Sequence, residues 1–240
     1  MFWQAFLASL AACTATTAGI FTISRFPDWT KRHAVYFMSF AAGMLITVSF
    51  LHLVPRAAGM NTGYAGYLAP GFFALYFLDR LLRRHAGGRE DRSEQDRRRV
   101  PVVGIGIHSF IDGLIYLVTF KVDVLTGLLA ATGMVLHEFP EGVVSFVLLN
   151  RAGIPSRRSF VYAFLAAGLS TPIGVLVGYV LLGWIGTSEL GLALGFSAGA
   201  LVYAGAVHLM PAVEREDRKY TLTTLGLGVL IAVTITRLAP

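Results

Sequence analysis

Cysteine is almost missing from this 240-residue chain: Cys13 is the only one, which excludes an intrachain disulfide. Charge is also scarce. Asp, Glu, Lys and Arg make up 14% of the residues, against about 25% in a soluble domain. Acids are rarer than bases, 14 against 20. Long stretches carry no charge at all, and much of what exists is gathered between Arg83 and Arg99. This distribution excludes an ordinary soluble domain and fits a chain threaded through lipid, with charge confined to connections. The net charge of +6 would suit nucleic acid, but the bases sit between apolar runs, where they act as topology signals. No nucleic-acid partner is expected. The segment from Leu10 to Cys13 has the look of a lipoprotein cleavage site, yet no positive residue precedes it and the apolar run continues to Ile23. It reads as a first membrane span.

What the chain has instead is apolar length. Hydrophobic residues make up 55% and the mean hydropathy is +0.64. A span needs about 20 mainly apolar residues. Eight stretches qualify, at 2–24, 34–55, 64–82, 101–120, 124–149, 158–184, 188–209 and 219–237. The expected fold is an all-α integral membrane protein forming one transmembrane domain over 1–240, with 83–99 as a loop. The first, third, fifth and seventh connections hold 17 of the Lys and Arg residues, and the other side holds 3, namely Arg56, Lys121 and Arg237. The positive-inside rule therefore puts the odd connections in the cytoplasm and both termini outside.

Two internal repeats organise the spans. Residues 40–55, FAAGMLITVSFLHLVP, align without a gap on residues 196–211, FSAGALVYAGAVHLMP, with seven identities in sixteen positions, including His52/His208 and Pro55/Pro211. The copies lie on spans 2 and 7, which run in opposite directions. His108-Ser109-Phe110-Ile111-Asp112-Gly113 on span 4 likewise matches His137-Glu138-Phe139-Pro140-Glu141-Gly142 on span 5. The chain order is thus three spans, two, three, with pseudo-symmetry through the centre. Inverted repeats with polar groups at mid-membrane are a signature of transporters.

The central motifs carry the chemistry. His108 and Asp112 stand four apart and share a helix face, as do His137 and Glu141. All four fall near mid-bilayer, where an unpaired carboxylate costs several kcal/mol. A bound dication accounts for them, and two imidazoles with two carboxylates suit Zn²⁺, Fe²⁺ or Mn²⁺. Packing or a proton relay without metal are the blander readings. Glu138 lies about 100° round the helix from His137, and three roles stay open for it: ligand, proton acceptor, or partner of a neighbouring helix. His52 and His208 sit toward opposite helix ends. They are either solvated end residues or stops on the way in and on the way out.

Eight spans, outside termini and the HSFIDG/HEFPEG pair on spans 4 and 5 resemble the ZIP (Zrt-/Irt-like) family of metal transporters, in its bacterial branch. The resemblance covers essentially the whole chain. It implies a carrier, not an enzyme, that moves Zn²⁺ and related dications such as Fe²⁺, Mn²⁺ or Cd²⁺ into the cytoplasm. The metal is substrate, and no cofactor is implied. It also implies one helix bundle sliding on another, a dimer in many members, and a place in the inner membrane of a bacterium. By motif position the transport site falls on His108, Asp112, His137 and Glu141, and the exit-side ligand on His208. The chain departs from the family where Ser109 replaces Asn, Asp112 replaces Glu, and Thr171 stands before Pro172 where binuclear members place Glu. A single metal is therefore expected. The rival is an intramembrane zinc metalloprotease using His137 and Glu138, since His137-Glu138-x-x-Glu141 approaches the H-E-x-x-H helix. However, the second histidine is missing, and a protease has no need of the matching motif on span 4.

Overall fold

A computed structural model describes residues 1–87, 94–151, 153–182, 184–215 and 218–238. The described residues form eight helices, α1 (Phe2–Arg25), α2 (Pro27–Met60), α3 (Ala65–Gly87), α4 (Glu94–Val122), α5 (Val124–Arg151), α6 (Ser156–Leu182), α7 (Thr187–Arg215) and α8 (Thr221–Leu238). Six have the length and composition to cross a membrane, and Thr221–Arg237 is a shorter apolar helix. The fold is all-helical, as expected, and each expected span falls on one helix. The ends differ. Helix α2 begins at Pro27 and runs to Met60, because Pro27 is preorganised for a first helical turn and Asn61 is extended. Within the expected 83–99 loop, α3 runs on to Gly87 and α4 starts at Glu94, and 88–93 lie outside the described residues.

Three helices contain a widened, π-helical turn: Ser49–Leu53 in α2, Phe164–Gly168 in α6 and Ala204–Leu209 in α7. Each ends shortly before a proline, Pro55, Pro172 or Pro211. Proline has no N–H to donate, and its ring crowds the carbonyl four residues back. Widening the preceding turn relieves that crowding while the backbone stays bonded, which lipid demands. The turns in α2 and α7 fall at matching places in the two repeat copies, and they contain His52 and His208.

Close approach of helix backbones sorts the eight helices into two bundles. Gly19 of α1 lies against the backbone of Phe139, and Gly142 of α5 against that of Thr16. Gly113 of α4 and Gly174 of α6 meet in the same reciprocal way. These four helices form one bundle. In the other, Gly43 of α2 and Gly228 of α8 lie against each other's helices, as do Gly71 of α3 and Gly199 of α7. At each position a Cβ would collide with a carbonyl oxygen of the partner. Without a hydrophobic drive between helices in lipid, such backbone contact is what holds them. The bundles themselves meet through side chains, as where Leu45 of α2 packs on Gly133 of α5.

Candidate metal centre

Helices α4 and α5 are joined by the single residue Asp123, so they run side by side in opposite directions. This brings the two i, i+4 pairs together. His137 Nε2 lies 3.1 Å from Asp112 Oδ2 and 3.6 Å from Glu141 Oε2, and His108 Nε2 lies 3.6 Å from Asp112 Oδ2. One ligand atom from each of the four residues falls within 4.8 Å of the others. Asp112 and His137 are almost fully buried, at 1% and 2% exposure. All four of these atoms are buried and lack an aligned hydrogen-bond partner. Buried polar atoms are nearly always satisfied, so four orphans aimed at one point mark a place for a cation.

The neighbours orient the ligands. Ser109 Oγ donates to Glu141 Oε1 at 3.2 Å, leaving Oε2 to face the cluster. Ser109, where the sequence departs from the family motif, thus bonds the Glu141 carboxylate. The His208 ring lies 5.5 Å from the His108 ring, centre to centre, so it stands beside the cluster. It lines a cavity of about 470 Å³ that reaches from His137 and Glu141 past His208 to Arg80 and Arg215. Arg80 and Arg215 stand near the ends of α3 and α7, beside the Lys- and Arg-rich third and seventh connections. In the opposite half of the bundle, Leu45, Phe120, Leu129 and Met134 are fully packed.

Glu138 lies outside the cluster. Thr16 of α1 donates to its Oε2 at 2.6 Å and Thr171 of α6 to its Oε1 at 3.0 Å. Glu138 thus bonds to two neighbouring helices, α1 and α6. Sequence carried no sign of Thr16, which is 122 positions away. His52 is not among the clustered residues and is bonded to Thr126, with Nε2 2.9 Å from Oγ1.

Known proteins share this frame. The ZIP zinc transporter family profile matches residues 93–236, more than half of the chain. A zinc transporter ZupT of Chlorobium phaeovibrioides is 28% identical, covering 96% of this chain and 95% of its own length. That of Chlorobium limicola is 26% identical over 99% of both chains. That of Nitratidesulfovibrio vulgaris is 30% identical over 79% of both. With the family profile across the metal-ligand helices and likeness along the full length, this chain belongs to the ZIP zinc transporter family.

Proposed function

We propose that this protein carries divalent transition-metal ions, Zn²⁺ foremost, across the inner membrane of a bacterium into the cytoplasm. The observation that carries the reading is the four orphaned ligand atoms of His108, Asp112, His137 and Glu141, buried within 4.8 Å of one another between two antiparallel helices. Two imidazole nitrogens and two carboxylate oxygens suit Zn²⁺, Fe²⁺ and Mn²⁺. His208, at the wall of the cavity beside His108, is the next stop toward the cytoplasm. His52 stands on the outer side. Both termini are extracytoplasmic on the Lys/Arg count.

Transport follows from alternating access around a fixed site. The cavity beside the site is lined by Arg80 and Arg215, which adjoin the basic third and seventh connections, and this supports an inward-facing conformation. The matching π-helical turns of α2 and α7 support an inverted repeat of spans 1–3 and 6–8 about the central pair. Glu138 has both oxygens engaged by threonines, which favours one metal per chain. The same bonds weigh against the protease reading, because a general base must stand free beside the metal-bound water. The partners are the metal ion, the lipid bilayer and, from the family resemblance alone, a second copy of the chain.

The test is radiometal flux into proteoliposomes for Zn²⁺, Fe²⁺, Mn²⁺ and Cd²⁺. His137→Ala removes a ligand from a four-ligand site and is expected to cut flux at least about tenfold, in line with the cost of losing a buried charged partner. Undiminished flux in that variant would remove the reading.

A further inference from the structure

The two bundles are bonded to each other at the end opposite the cavity. Arg56, near the end of α2, places Nη2 2.6 Å and Nε 3.2 Å from Asp123 Oδ2. Asp123 is the joint between the ligand-bearing helices α4 and α5. Thr126 donates its backbone N–H to Asp123 Oδ1 at 2.8 Å and its hydroxyl to Oδ2 at 2.9 Å. The same hydroxyl is 2.9 Å from His52 Nε2. A guanidinium and an imidazole of the α2 bundle thus grip a carboxylate and a hydroxyl of the metal-site bundle, one turn apart on α2.

Three other polar ties each stay inside one bundle. Glu138 joins α5 to α1 and α6, Lys121 of α4 donates to carbonyls at the end of α6, and Tyr203 of α7 donates to Asp79 of α3. Beneath the Arg56 grip, between it and the metal site, Leu45 of α2 packs on Gly133 of α5. For the site to open on this face, α2 must part from the start of α5. The four polar residues lie across that parting line.

We propose that Arg56, Asp123, Thr126 and His52 form a clasp that closes the outer face of the transporter, and that its release is a step in exposing the metal site to that side. The proposal rests on the transport reading above for its sense of inside and outside. The clasp is partly exposed, with the Arg56 and Asp123 side chains at 52% and 28%, so it is strong enough to bias the two conformations and weak enough to break in each cycle. Asp123 is tied both to Arg56 and to the first turn of α5, so releasing the grip frees the ligand-bearing pair as a unit.

The experiment uses the full chain in oriented membrane vesicles with Cys13, the only native cysteine, changed to alanine. One reporter, Leu45→Cys, lies below the clasp, and the other, Val144→Cys, lies in the cavity wall. A membrane-impermeant maleimide is applied from the clasp face to the first and from the cavity face to the second. With Arg56→Ala, labelling at position 45 is expected to rise about two- to fivefold, the range for a partly exposed ion pair, while labelling at position 144 falls. The exchanged pair Arg56→Asp with Asp123→Arg returns both toward wild type. Thr126→Val, which removes the hydroxyl shared with His52, shifts the reporters in the same sense as Arg56→Ala. No change at either reporter overturns the clasp, and so does a rise at both together, which signals general loosening. Opposed shifts in a protein that moves no metal into proteoliposomes would uphold the clasp and sink the transport reading instead.

Discussion

At the residue scale, the cluster depends on atoms that hold no metal themselves. Ser109 turns one oxygen of Glu141 away so that the other faces His137. Thr16 and Thr171 keep Glu138 out of the cluster. Thr171→Val leaves Glu138 Oε1 without its donor and is expected to lower stability by about 1 kcal/mol, the usual worth of such a bond between membrane helices. Thermal unfolding in detergent measures that loss. Bound metal, counted by mass spectrometry, should stay at one per chain, and a second ion would contradict the role given to Glu138. The cluster of His108, Asp112, His137 and Glu141 was legible in the sequence because i, i+4 spacing on neighbouring spans leaves few other geometries. The threonines were not, since Thr16 and Glu138 are 122 positions apart and no periodicity links them. Asp123 adds a pH argument. Its partial burial favours the neutral carboxyl, but the bonds from Thr126 and Arg56 outweigh that and hold it below its ordinary 3.8. A depressed carboxyl stabilises the fold above the unfolded value and loses that effect as pH falls through the folded one. With the neighbouring imidazole removed by His52→Gln, the difference in melting temperature made by Arg56→Ala should therefore stay flat between about pH 5 and 8 and shrink only below about pH 4. A fading of that difference near pH 6 would show that Asp123 is not held as described.

At the element scale, glycine decides which helices travel together. Gly142→Leu drives a side chain into the carbonyl of Thr16 on α1, where helix backbone cannot yield. Overpacking of this kind costs about 1–3 kcal/mol or more, and the variant should melt well below wild type. Gly66→Ala is the control, because nothing lies within 4 Å of its added Cβ; removing a glycine from a helix should be neutral or stabilising by up to about 1 kcal/mol. Equal losses in both would mean that the α1–α5 contact has been misjudged. Glycine enrichment was visible in the sequence, but not which glycine meets which helix. The π-helical turns were hidden too: Pro55, Pro172 and Pro211 warned of a broken ladder, yet only packing decides whether such a helix kinks or widens.

At the scale of the whole molecule, the all-helical membrane fold and the meeting of the four central residues were readable, because lipid permits little besides helices and forces charge to the connections. The division into two bundles was not. The chain crosses between bundles three times, since α1 packs with α4, α5 and α6 while α2 and α3 pack with α7 and α8. Chain order says nothing about which glycine faces interlock. The filling of the half opposite the cavity by Leu45, Phe120, Leu129 and Met134 has an electrical consequence. A layer of such packed apolar side chains resists a continuous water column, so ions are expected to cross only as fast as the protein rearranges. In a planar bilayer the protein should give no unitary current steps at any Zn²⁺ concentration, and its flux should saturate and rise steeply with temperature. Discrete openings on a single-channel record would mean that the apolar layer is a gate in a pore rather than the body of a carrier.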